Sequence, residues 1–188
     1  MTRRSALLLL GARLSAQAPP GFAPAMRAIE TSVEGVLGAA ALELNSGRLA
    51  GWRSKERFPL LEMTQIPVAL HVFAMMELGE IPFRKMVSIE PGTYSPGYSP
   101  LRDRYPKGAV VTVGQLLEAA LRDNDASASD MLLALGRGPE AVQQRMARWF
   151  GEAIRVDRSL AALDAAFRLA ASRERFLMDE RDTATPEG

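Results

Sequence analysis

Cysteine is absent from the 188 residues, and histidine occurs once, at His71. Without thiols there is no disulfide framework, no thiolate nucleophile and no cysteine to carry a lipid. One imidazole does not make a zinc site, so neither a metal nor a cofactor is expected. Lysine is scarce as well: Lys55, Lys85 and Lys107 are the only three, and the remaining basic residues are arginines. The net charge of +1 gives no electrostatic reason for a nucleic-acid partner. No apolar run approaches the roughly 20 residues that a membrane span needs.

What is present suffices for one domain, because 47% of the residues are hydrophobic and can fill a core. Residues 1–18 are expected to be an export signal: Arg3-Arg4 starts it, Ala6–Ala12 is its apolar centre and Ala16-Gln-Ala18 its cleavage site. That predicts a periplasmic or extracellular protein without an anchor. Residues 19–24, opening Pro19-Pro20-Gly21, read as a linker, and 25–188 as a single domain.

The chain is organised around Arg57–Gly79. From Ile66 to Leu78 nearly every residue is apolar, which predicts a helix buried on most sides. Gly79 stops it, and Pro67 is tolerable only in the first turn, so the helix is predicted to start near Glu62. Glu62 and Gln65 then share one face. Upstream, Ala25–Gly35 has the spacing of an amphipathic helix. Val36–Leu44 and Arg48–Arg53 flank Asn45-Ser46-Gly47, a hairpin whose turn residues tolerate positive φ. Downstream, Ile81–Lys107 is rich in Pro, Gly and Tyr and contains Tyr94-Ser95-Pro96 and Tyr98-Ser99-Pro100. Thr112 with Gln115 forms a capping box, predicting a helix over Val113–Arg122. Ser127–Leu135, Pro139–Phe150 and Ser159–Met178 are further predicted helices. His71 is expected to be a hydrogen-bonded core residue, Met75-Met76 core packing, and Arg145–Arg158 a solvated face.

Several of these stretches resemble class A β-lactamases and the related penicillin-binding transpeptidases. Arg57-Phe58-Pro59 and Ile66-Pro67-Val68-Ala69 match the frame around that family's Ser-x-x-Lys helix. Leu42–Arg48 resembles its first hairpin, Tyr98-Ser99-Pro100 a later loop, and Asp179–Pro186 its Asp-Glu-Arg-Asp-Thr-Thr-x-Pro. The resemblance implies an α/β (α+β) fold of β-lactamase type. A mostly helical subdomain would surround one buried central helix, and an N-terminal β-hairpin would belong to an incomplete antiparallel sheet. No lysine follows Lys107, so Lys-Thr-Gly is absent, and the domain is expected to lack its C-terminal strands.

The same alignment places Glu62 at the family's serine and Gln65 at its lysine. Asn124 and Ala126 take the places of the serine and asparagine of Ser-Asp-Asn, and Leu160 that of the omega-loop glutamate which activates water. Asp125, Asp182 and Thr183 keep the family's structural motif residues. The resemblance therefore implies a catalytically inactive or severely impaired family member. It would hold at most a β-lactam or peptidoglycan-derived ligand, or a partner protein, in a vestigial cleft. Two alternatives stay open: a β-lactam hydrolase with replacement chemistry, and a truncated remnant without a function of its own; separately, Glu62 with Asp125 could form a paired-carboxylate acid/base site of glycosidase type. A lone hairpin is marginal in water, so self-association through its exposed edge is expected.

Overall fold

The computed structural model describes residues 19–33 and 35–169. The chain divides into two compact units, one up to Phe58 and one from Pro59 onward. In the first, helix α1 (Phe22–Ser32) precedes a two-stranded antiparallel sheet of β1 (Ala39–Leu42) and β2 (Leu49–Trp52). Gly47 takes φ 69° in the connecting turn, whereas Asn45 does not need positive φ. Leu42 faces Leu49 across the pair, and among the described residues neither strand has another neighbour. Arg53 joins α1 to this sheet by pairing with Glu30 at 2.9 Å.

The second unit is built on α2 (Gln65–Glu77), with α4 (Val113–Arg122), α5 (Ala126–Leu135) and α6 (Gly138–Phe150) packed against it. Val68, Val72 and Met75 of α2 are buried in one cluster with Leu116 and Ala120 of α4, Leu132 of α5, and Val142 and Met146 of α6. Burying each larger side chain contributes about 1.5–3 kcal/mol, so this junction dominates the unit's stability. The helix is not covered all round. Ile66 and Phe73, seven residues apart and so on one stripe, are exposed by 42% and 44%. His71 is buried between α2 and α6, as expected. The solvated face foreseen for Arg145–Arg158 needs correction at Arg145, whose Nε donates to His71 Nδ1 at 2.9 Å. His71 Nε2 donates in turn to the Gly136 carbonyl, 2.9 Å away.

Two short strands that the sequence pattern does not announce follow α2. β3 (Met86–Ile89) pairs antiparallel with β4 (Ala109–Thr112), Val87 opposite Val111. Their long connection contains the short helix α3 (Pro100–Arg104), capped by the Ser99 hydroxyl accepting from the Arg102 N–H. Gly108 closes the connection at φ 87°, and a β-carbon there would meet the Ile89 carbonyl oxygen at 2.4 Å. Glycine is required at that position. β4 runs directly into α4, whose capping box is formed by Thr112 and Gln115 in both directions. Helix α7 (Leu160–Leu169) is the last element among the described residues. Among the described residues no helix is long and apolar enough to cross a membrane.

Candidate functional site

The central helix does not begin at Glu62. Leu61–Thr64 forms a 3-10 turn and the α-helix starts at Gln65. Leu61 opens the turn at φ 46°, a region that a branched side chain enters at a cost of about 1–2 kcal/mol. The Gln65 N–H bonds back to the Glu62 and Met63 carbonyls, which tightens the entry and leaves Pro67 in the first α-turn, where no N–H is needed. Glu62 is exposed on this turn.

The second wall is the link between α4 and α5. Asn124 adopts φ 54°, a conformation asparagine tolerates, and both Asp123 and Asp125 return their N–H groups to the Ala119 carbonyl at 3.1 Å. This turn aims Asn124 at the start of α2. Gln65 Nε2 donates to Asn124 Oδ1 at 2.7 Å, joining residues 59 positions apart. Ser129, one α-turn into α5, donates to the Asp125 carbonyl at 2.9 Å and lies 3.5 Å from Gln65 Oε1. The Glu62 turn and the Asn124 connection thus adjoin one another.

Asp125 is wholly buried and fully engaged. One of its carboxylate oxygens accepts from the Ala128 N–H at 2.8 Å as the N-cap of α5, and the other from the Leu101 N–H at 2.6 Å. The Ser99 hydroxyl lies 3.0 and 3.1 Å from the two oxygens. All of these bonds tie Asp125 to the Ser99–Leu101 segment and to its own helix, and none of them involves the exposed Glu62. Ala126 begins α5, and its N–H donates to the Tyr98 carbonyl at 2.9 Å. A methyl group there can hold no substrate amide.

Leu160 opens α7, and a residue not singled out from the sequence holds it. Asp130, in the middle of α5, accepts from the Leu160 N–H at 2.7 Å and the Ala161 N–H at 2.9 Å, and also receives the Ser95 hydroxyl. A carboxylate at the unsatisfied first N–H groups of a helix is favourable twice, through hydrogen bonds and through the helix dipole. The signal for it was slight: Asp130 is simply the polar position of an otherwise small and apolar helix. Asp130→Ala is expected to cost about 1–2 kcal/mol and to speed amide exchange at residues 160–163. Unchanged protection there would refute the assignment. Asp182 and Thr183, and the predicted helix beyond residue 169, lie outside the described residues.

Comparison with known proteins settles the lineage. The model of the β-lactamase enzyme family matches residues 21–187, nearly the whole sequence. The chain belongs to the β-lactamase enzyme family. Solved structures agree on the fold. A β-lactamase from Chitinophaga pinensis superposes with a TM-score of 0.72 at 19% identity, over 82% of this chain and 56% of that one. A reconstructed class A β-lactamase of the last common ancestor of Gram-negative bacteria, bound as a variant to the transition-state analogue 5(6)-nitrobenzotriazole, gives 0.66 at 24% identity, over 84% and 68%. A class A β-lactamase from Bacteroides cellulosilyticus gives 0.59 at 23% identity, over 66% and 46%. At these identities the likeness establishes fold, and the family member described here spans little more than half the Chitinophaga protein's length. Its fold is mixed α/β of β-lactamase type, mostly helical with small antiparallel sheets.

Proposed function

We propose that this β-lactamase-family chain is an exported ligand-binding protein that does not carry out serine acyl transfer. The observation that carries this reading is the Gln65–Asn124 hydrogen bond. Where the family's lysine and proton-shuttling serine stand, two neutral amides satisfy one another, and neither can take up a proton at neutral pH. Glu62 supplies a carboxylate in place of the hydroxyl nucleophile. The nearby serines are committed: Ser129 donates to a backbone carbonyl, Ser127 accepts the Ser95 N–H at 3.0 Å, and neither has a general base beside it.

The backbone supports binding over an idle remnant. Leu61 and Asn124, two of the four non-glycine residues with positive φ among the described residues, flank the same spot. Strained conformations persist where a site is held in shape. With purified protein, a chromogenic cephalosporin is expected to be hydrolysed no faster than in buffer, and a labelled penicillin to leave no covalent adduct. Turnover or an adduct would overturn the proposal. The signal-like start of the chain supports export, which cleavage after Ala18 in a secreting host would test. The open edges of the β1–β2 hairpin support association between copies, and a monomer at every concentration in sedimentation would exclude it.

A further inference from the structure

We infer that two copies of this chain join through the free edge of β1, antiparallel across a two-fold axis at Ala41, and that the assembly closes as a dimer. The inference rests on the association between copies proposed above, and adds the strand, the register and the stopping point. The hairpin itself fixes which backbone groups are free. The Glu43 N–H donates to the Arg48 carbonyl at 2.9 Å, so these two residues are a hydrogen-bonded pair of the ladder. Such pairs alternate along an antiparallel ladder, which puts Ala41 with Ala50 and Ala39 with Trp52 in the same class. Ala40 and Leu42 fall in the other class, with N–H and C=O turned away from β2. Among the described residues neither strand has a further neighbour, so these groups form an open edge.

The two edges of the hairpin are not equivalent. From Gly35 to Leu42 there is neither a charge nor a proline, and Ala40, Ala41 and Leu42 are exposed. None of the usual protections of an edge strand is present on β1. β2 is guarded. Arg48 and Arg53 stand at its ends and α1 lies against it. Its chain also turns off at Arg53, φ 50°, where the Glu56 N–H bonds to the Arg53 carbonyl at 3.0 Å. An uncharged edge suits an uncharged strand, and β1 is its own complement. With Ala41 opposite the second copy's Ala41, Ala40 faces the second copy's Leu42 and Leu42 its Ala40. Each open N–H and C=O of these residues then meets a partner. Leu42, 51% exposed and opposite Leu49 within its own hairpin, lies across from a methyl group and is covered. A two-stranded hairpin is marginal by itself, whereas this union is a four-stranded sheet in the order β2-β1-β1-β2. Its outer edges are both the guarded β2, so growth stops at two copies.

Sedimentation of the full chain over a range of concentrations, with single substitutions, is the test. Ala41→Lys or Ala41→Glu alone is expected to weaken the dimer by about 5-fold, because each sets like charges face to face across the axis. Mixing the two variants should restore it. Ala40→Pro removes an N–H that the hairpin does not use, and should weaken the dimer by about 10-fold with the circular dichroism of the unaltered chain. Since the chain has no cysteine of its own, Ala41→Cys should form an intermolecular disulfide under mild oxidation, and Leu49→Cys on β2 should not. A dimer indifferent to Ala41→Lys and Ala40→Pro, preferential cross-linking of Leu49→Cys, or assemblies that keep growing with concentration would overturn the inference while leaving association between copies intact. A chain that stays monomeric at every concentration would sink both, and would leave the edge to a strand of some other polypeptide.

Discussion

Asp125→Ala is expected to cost the larger unit about 3–5 kcal/mol, a large share of the 5–15 kcal/mol typical of a folded domain. The carboxylate is wholly buried and takes hydrogen bonds from Ser99, the Leu101 N–H and the Ala128 N–H. Truncation leaves all three donors buried without an acceptor. Each such loss is worth about 1–3 kcal/mol, and because they share one partner the costs do not simply add. Asp125→Asn separates charge from shape. It keeps one acceptor but turns an NH2 toward a backbone N–H, so its loss should fall between wild type and alanine. Urea denaturation measures both variants. A cost below about 1 kcal/mol for alanine would show that the network is incidental.

The second large effect is expected at His71, where both ring nitrogens are assigned. Arg145 Nε–H can only donate, so Nδ1 must accept, and Nε2–H therefore donates to the Gly136 carbonyl. Protonating Nδ1 would set an N–H against an N–H. Burial holds the imidazole below its ordinary pKa, and the charges of Arg145 and Arg137 push the same way, against the Gly136 hydrogen bond and Glu80. The unfolded chain thus binds a proton more readily than the folded one. Stability should be full above the unfolded value of about 6.5 and fall as pH drops through the depressed folded value. His71→Leu should abolish this limb of the pH dependence. It should also cost about 2–4 kcal/mol at neutral pH, since the Gly136 carbonyl and the Arg145 N–H both lose a partner. A histidine ring that titrates by NMR at its ordinary pKa would contradict the arrangement.

How far the sequence could be read depended on whether the cause was local. The start of α4 was legible because Thr112 and Gln115 write both halves of a capping box within four residues. The body of α2 was legible from its apolar run, but its first turn was misjudged. Nothing local announces that Leu61 enters at positive φ and winds Glu62 into a 3-10 turn. β3 and β4 were missed for a different reason. Each is four residues long, and what makes them strands is pairing across a 19-residue connection, together with a glycine at 108 that lets it close on Ile89. At the site, family likeness named Glu62, Gln65, Asn124 and Leu160, but their chemistry came only from coordinates. The Gln65–Asn124 bond spans 59 positions, and Asp130 acts on α7 from 30 positions away.

The placement of Asp125 and Asp130 on one helix makes α5 a spindle for two loops. Five residues apart, the first caps the helix from just outside its first turn and the second projects from its middle. One therefore holds the segment around Ser99 and Leu101 while the other grips the start of α7. Inserting a single residue between them would turn one grip by about 100° and release whichever loop it served. Phase around that axis, more than the identity of either acid, keeps the two loops anchored at the same time.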